Sequence, residues 1–116
     1  MSEFIDYLPE VFQQFGAVRA RRMFGGYGLY HDDLMFGLIA NDTLYLKADN
    51  QSAKLFEDKE LGQFEYVKNG KSMKMSYYLA PEEIFDDPEV AKTWAQHAFE
   101  AALRSRKPAR KVKREK

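Results

Sequence analysis

Apolar residues recur every three or four positions at the start of the chain. Over residues 3–15 they occupy one arc of a helical wheel, and acids and glutamines occupy the other. This pattern predicts an amphipathic helix that Gly16 ends. Pro9 lies on the polar side, where a bend would wrap the helix around a core. We therefore expect this helix to be bent or split.

Three strands are predicted in the next part of the chain, separated by two short polar turns. The strands either alternate between apolar and polar residues or are densely apolar, as central strands are. The turns are rich in Asp and Asn, which tolerate positive φ. The strands cover residues 22–30, 34–40 and 43–47, and the turns are 31–33 and 41–42.

The second half of the chain predicts a short helix, a hairpin and a final helix. Asn69-Gly70 is a strong hairpin signal, because both residues suit a type I′ turn. Asp87-Pro88 is a suitable cap and first residue for the last helix. The helix covers about 50–59, the hairpin strands 63–68 and 71–78, a helical turn 81–85, and the last helix 88–104.

The apolar arc of the last predicted helix covers almost half of its circumference. It contains Val90, Trp94, Phe99 and five alanines. One sheet face requires a narrower stripe. Either another element of the chain covers the rest of the arc, or the helix contacts a second copy in a homodimer. A third reading is that the alanines are simply good helix formers.

The order of these elements, α-β-β-β-α-β-β-α, predicts the fold class. Two antiparallel meanders with helices between and after them suit a two-layer α+β sandwich. We expect helices to cover one face of the antiparallel sheet. The other face of the sheet is then either exposed to solvent or used for association with another molecule.

The amino-acid composition of the chain excludes several classes of site and function. The chain has 116 residues, the size of one domain, and no Cys, which excludes disulfides, thiolate zinc sites and cysteine nucleophiles. No apolar run approaches the ~20 residues that span a bilayer, so we expect no membrane contact. Residues 1–6 lack the features of a secretory signal. The cytoplasm is the expected location.

A net charge of zero conceals a basic C-terminus. Residues 104–116 contain eight basic residues and one acid, a net charge of +7 that the remaining residues balance. We expect a folded domain over 1–104 and a disordered basic tail over 105–116. The tail either solubilises the protein or makes weak, salt-dependent nucleic-acid contacts. The candidate contacts are Arg104, Arg106, Lys107, Arg110, Lys111, Lys113 and Arg114.

Few residues suggest catalysis. His31 beside Asp32 and Asp33 is either a metal-binding group or part of a solvated turn, and turn chemistry favours the second reading. No serine lies in a nucleophile elbow, since Gly-x-Ser-x-Gly does not occur. We expect no enzyme activity, no cofactor and no metal.

Three glycines between positions 25 and 28 lie inside the first predicted strand. Such glycines indicate a bulge or the close approach of another backbone. The structural reading is a bent strand wrapping a helix. The functional reading is an open notch for a ligand or a partner segment, with Tyr27, Tyr30 and Tyr45 nearby. The preceding arginines 19, 21 and 22 either pair with acids of the first helix or bind an anion or nucleic acid.

The same glycine-rich run resembles a family motif. With the segments 35–40, 44–48 and 74–78, it is similar to the N-terminal domain of the TfoX/Sxy family of competence regulators. The resemblance covers residues 1 to about 105. The motif residues, which are candidates for partner binding, are Arg22, Met23, Phe24, Gly25, Gly26, Tyr27 and Gly28.

The resemblance implies a fold like that of type III secretion chaperones and a role in regulating transcription, including genes for DNA uptake. Full-length members act as coactivators with a cyclic-AMP-responsive activator. It therefore implies a protein partner, for which such an activator is the candidate. The family supplies no catalytic residue that can be carried over to this chain. Full-length members also have a second, helical domain, whereas we expect a basic tail here.

Overall fold

Six antiparallel strands form one sheet in the computed structural model, which describes residues 3–23 and 25–106. Helices cover one face of this sheet, which confirms the predicted α+β class and the order of its elements. The helices are α1 (Glu3–Val11), α2 (Ala53–Glu57) and α3 (Pro88–Ser105), with a 3₁₀ helix at Glu82–Phe85. The strands are β1 (Arg19–Met23), β2 (Gly26–His31), β3 (Leu34–Ala40), β4 (Thr43–Lys47), β5 (Gln63–Lys68) and β6 (Lys71–Leu79), in the spatial order β1-β2-β3-β4-β6-β5.

The first predicted strand contains parts of two strands. Residues 22 and 23 belong to β1 and residues 26–30 belong to β2, and the two strands pair with each other antiparallel. β1 lacks an alternating apolar pattern because it lies at the edge of the sheet. Its arginines suit an edge position, since charged side chains there discourage pairing with other sheets.

Hairpin turns fix the register of the remaining strands. Asp32-Asp33, Asn41-Asp42 and Asn69-Gly70 all have positive φ, between 51° and 78°. These angles match the type I′ turns that fit the twist of antiparallel strands. The hairpins predicted at positions 41–42 and 69–70 are therefore confirmed.

The first helix is shorter than the predicted span of 3–15. α1 ends at Val11, with Pro9 inside it. The chain continues as turns, in which the Gly16 N–H donates to the Phe12 carbonyl at 3.0 Å. Proline removes one helical hydrogen bond and strains the preceding turn, which explains the early end.

The long helix α3 buries its wide apolar arc inside this chain. The Asp87 carboxylate caps it by accepting from the Glu89 N–H at 3.0 Å. Five alanines of α3 are buried, and small side chains let the helix approach the sheet closely. Trp94 packs on Phe56 of α2, with ring centroids 4.9 Å apart. Other elements therefore cover the arc, and its width gives no argument for a second subunit.

Aromatic rings fill the core where α1, α3 and the sheet meet. Phe36 of β3 is fully buried and lies 5.3 Å from Phe15 and 6.0 Å from Phe12. Phe99 of α3 closes the cluster at 6.3 Å from Phe36. Such ring pairs stabilise beyond the area that they bury. Phe36 thus joins three segments that are distant in sequence.

Candidate functional site: the β1–β2 hairpin

The glycine-rich motif forms the turn and the first half of β2. Arg22 lies opposite Tyr27 and Met23 lies opposite Gly26 in the hairpin register. Gly25 occupies the turn with a φ of +67°, a conformation that glycine adopts without a steric penalty. Phe24 is outside the described residues.

Gly26 lies where two backbones come close together. A Cβ atom at this position would be 2.2 Å from the carbonyl oxygen of Ile39 in β3. No side chain fits at that distance, so β2 reaches this position against β3 only with glycine. The role of this motif residue is therefore structural.

Gly28 lies beneath a small cluster of side chains on the face of the sheet opposite the helices. A Cβ atom here would be 3.0 Å from the Met23 and Met35 sulfurs and from the Tyr30 ring. Those side chains fill the space that the sequence suggested as an open notch. Met35 was absent from the sequence-based site, although its place opposite Tyr30 in the β2–β3 hairpin could have indicated it.

The arginines around the hairpin contact tyrosines rather than helix acids. Arg22 donates from Nη1 to the Tyr27 hydroxyl at 3.3 Å. The Arg21 guanidinium lies 5.2 Å from the centroid of the Tyr30 ring. Arg19 pairs with Asp33 at 3.5 Å, an exposed contact. The expected pairing of these arginines with acids of the first helix does not occur among residues 3–23 and 25–106.

The three tyrosines proposed around a ligand notch are divided between the faces of the sheet. Tyr27 pairs with Ile39, a core residue on the helix side. Tyr30 and Tyr45 lie on the opposite side, where Tyr45 pairs with Leu38. The structure therefore does not assemble them into one site. Burial, aided by Tyr30, raises the pKa of nearby Tyr77 to about 12, so its hydroxyl stays neutral.

His31 is half-buried beside the aromatic cluster, and its Nε2 lies 3.5 Å from the Asp32 carboxylate. Its Nδ1 lies 2.7 Å from the Ala17 carbonyl oxygen, and its ring lies 4.6 Å from Phe15 and 5.0 Å from Phe99. Throughout residues 3–23 and 25–106, no three metal-ligating side chains gather. In the same residues, no helix has the length and apolar character needed to cross a membrane.

The basic residues at the chain's end are described only as far as Arg106. Arg104 binds Asp49 through two hydrogen bonds, of 2.6 and 3.0 Å. The Arg104 guanidinium lowers the pKa of Asp49 to about 2. Arg104, predicted as a nucleic-acid contact, thus ties α3 to the loop before α2. Arg106 is exposed. The predicted contacts from Lys107 onward, and almost all of the predicted tail, lie outside the described residues.

Substituting Arg104 with methionine is expected to lower the free energy of unfolding by about 0.5–1 kcal/mol at pH 7, because the half-buried pair is lost. The folded pKa of Asp49 lies below its unfolded value of about 3.9. The pair therefore stabilises fully above that pH and loses its effect as the pH falls toward about 2. Urea unfolding at several pH values measures the difference between the two proteins.

The control is Lys54→Met, which removes an exposed pair with Asp58 within one turn of α2. This change is expected to cost about 0.3–0.5 kcal/mol at most. A difference between Arg104→Met and the unmodified protein that stays constant from pH 7 to pH 2 would contradict the role assigned to the Arg104–Asp49 pair.

Comparison with known proteins supplies the family context of this hairpin. The model of the TfoX N-terminal domain matches residues 10–102. The chain is 29% identical over 91 residues to Protein Sxy of Escherichia coli (strain K12), covering 78% of this chain and 44% of that protein. It is 29% identical over 100 residues to DNA transformation protein TfoX1 of Aliivibrio fischeri, covering 83% and 48% respectively. The chain spans about half the length of these curated relatives.

Proposed function

Because this chain belongs to the TfoX N-terminal domain family, we propose that it is a non-enzymatic regulatory module that binds a protein partner, a transcription activator. The match over residues 10–102 carries the proposal. One relative is named as a DNA transformation protein, which fits regulation of genes for DNA uptake. Such a module acts in the cytoplasm, where its targets are transcribed.

The positions of the reactive side chains support a module without chemistry of its own. The His31 ring is held between Phe15 and Phe99. The Tyr77 side chain is buried, and this burial raises the pKa of its phenol to about 12, which makes it a weaker acid than an ordinary tyrosine. The motif glycine Gly26 serves strand packing. These groups have structural contacts in place of the convergent acid, base and nucleophile that catalysis uses.

Deleting the gene in its host is expected to change the transcript levels of a defined gene set, and the full chain supplied in trans is expected to restore them. RNA sequencing measures both effects. Purified chain should also bind the host's cyclic-AMP-responsive activator, measured by fluorescence anisotropy with and without cyclic AMP. Unchanged transcripts in the deletion strain would contradict the proposed function.

A charge-reversed variant tests the alternative, nucleic-acid binding through the basic tail. The triple variant Lys107→Glu, Lys111→Glu, Lys113→Glu keeps the full length of the chain. Its ability to restore transcripts is compared with that of the unmodified chain. If the module acts through a protein partner, this variant restores transcripts as the unmodified chain does. Failure to restore, together with DNA binding by the unmodified chain that weakens steeply with salt, would favour the tail alternative.

A further inference from the structure

The sheet face opposite the helices, which we call the open face, is lined by methionine and aromatic side chains. Strand register defines it: Leu38 and Leu79 flank Tyr45, and Lys47 lies opposite Tyr77. The alternate positions, such as Leu44 and Leu46, belong to the core beneath the helices. Four of the five methionines of the chain lie on the open face, at positions 23, 35, 73 and 75.

Several of these side chains are accessible. Met23 is 37% exposed, Tyr66 38% and Met73 44%. Other members pack against each other, as Tyr45 and Phe64 do with ring centroids 4.8 Å apart. The open face therefore combines aromatic rings that pack against each other with methionine side chains that are accessible to solvent. Flexible, polarisable methionines are typical of surfaces that adapt to the side chains of a partner.

Charge at the strand positions of the open face has one sign. Among residues of the six described strands, Glu65 is the only acid. It lies opposite Lys74 and accepts from the Ser72 hydroxyl at 2.7 Å, on the side away from Tyr66 and Met73. The charged side chains at strand positions that face the open side are all cations. They are Arg19, which pairs with Asp33 of the β2–β3 turn, and Arg21, Lys47, Lys68 and Lys71. This positive surface belongs to a domain that is acidic elsewhere.

A second copy of the chain does not suit the open face. Two copies related by a twofold axis would use the same surface on both sides of the contact. The cations of one copy would then meet those of the other, and like charges facing each other across an interface are costly. The basic C-terminal segment of the chain has the same sign and is excluded for the same reason.

A nucleic acid also suits the open face poorly. Sequence-tolerant binding of single strands uses the faces of aromatic rings as stacking platforms. Two of these rings already carry cations: Arg21 lies 5.2 Å from the Tyr30 centroid, and Lys47 lies 5.2 Å from the Tyr77 centroid. Bases would have to displace these cations before stacking. A phosphate can pair with these cations as a carboxylate does, but the apolar side chains of a peptide, unlike stacking bases, need no free ring face.

We infer that the open face docks a polypeptide segment in which acidic side chains alternate with apolar ones. The apolar side chains pack among the methionines and tyrosines, and the carboxylates pair with cations such as Arg21 and Lys47. This inference rests on the proposed function for the partner being a protein. It adds the location of the docking surface and the chemistry of the segment.

Panning a phage library of random 12-residue peptides against the full chain tests the inference directly. We expect the enriched peptides to combine Asp or Glu with apolar residues, and to bind more weakly as salt rises. The double variant Arg21→Glu, Lys47→Glu is expected to weaken an enriched peptide at least about tenfold, or about 1.4 kcal/mol. Arg21→Gln with Lys47→Gln should have a smaller effect of the same sign.

The control is Lys92→Glu at an exposed position of α3, which changes the net charge by two, as Arg21→Gln with Lys47→Gln does, and it should leave the affinity unchanged. Thermal unfolding checks that every variant is folded. In the unmodified chain, the methyl NMR signals of the four open-face methionines should shift when the peptide is added. Enrichment of no peptide, enrichment without acids, or equal binding by the double variant would overturn the inference.

Two further results would overturn it in favour of other occupants. One is a dimer, seen by analytical ultracentrifugation, that the double variant dissociates. The other is an oligothymidine that shifts the NMR signals of the same methionine methyls while acidic peptides do not.

The transcript experiment separates this inference from the proposed function. If the double variant restores transcripts fully, the docking surface is wrong and the function stands. If deletion changes no transcript but acidic peptides bind the open face, the function is wrong and the docking surface stands.

Discussion

Substituting Gly26 with alanine is expected to lower the free energy of unfolding by about 3 kcal/mol. The new Cβ atom would be 2.2 Å from the Ile39 carbonyl oxygen, far inside van der Waals contact. Backbone lies on both sides of this clash, so no flexible side chain can move to relieve it. β2 must separate from β3, which weakens the ladder at the centre of the motif. Urea unfolding of the purified variant measures the loss.

Two other glycines serve as controls for this prediction. Gly62 has open space around the Cβ position and no positive φ, so Gly62→Ala is expected to change stability by about 0.5 kcal/mol or less, in either direction. Gly25 also has open space but a φ of +67°, and Gly25→Ala should cost about 1–2 kcal/mol. If Gly26→Ala unfolds at the same urea concentration as Gly62→Ala, the close approach of β2 to β3 is wrong.

Substituting Phe36 with alanine is expected to lower the free energy of unfolding by about 3–5 kcal/mol. The side chain is fully buried and contacts the rings of Phe12, Phe15 and Phe99. Its removal leaves a cavity between α1, α3 and β3 and loses several ring contacts at once. Because a small domain is stable by only about 5–15 kcal/mol, this loss removes a large fraction of the stability and should lower the urea midpoint strongly.

The control for Phe36 is an aromatic residue outside the core. Tyr66 is 38% exposed on the open face, and Tyr66→Ala is expected to cost about 1 kcal/mol or less. Chemical denaturation of both variants gives the comparison. Equal losses in the two variants would contradict the assignment of the core to the helix side of the sheet.

Local signals in the sequence were sufficient for much of the fold. Asn69-Gly70 and Asn41-Asp42 specify their turns by their own backbone preferences, which no neighbour needs to supply. Asp87-Pro88 likewise specifies the start of α3. The strand β1 could not be found in this way. Its stability comes from pairing with β2, and an edge strand rich in arginine carries no periodic apolar pattern.

The sequence motif was enough to locate the candidate site. The physical role of its residues could not be predicted, because it depends on tertiary contacts. The glycines indicated that something comes close, and only the pairing of β2 with β3 shows that it is the carbonyl of Ile39. Arg104 was assigned to a basic segment by its neighbours in sequence. Its partner, Asp49, is 55 positions away and is brought there by the packing of α3.

The burial of Trp94 against Phe56 has a practical consequence. Trp94 is the chain's only tryptophan and is 8% exposed. Its fluorescence emission therefore reports one environment that is largely shielded from water. Unfolding moves the indole into water and shifts this emission to longer wavelengths. The indole lies on the helix side of the sheet, so a ligand on the other side leaves its spectrum unchanged. Trp94 emission can therefore follow the stability of the chain while a peptide occupies the open face.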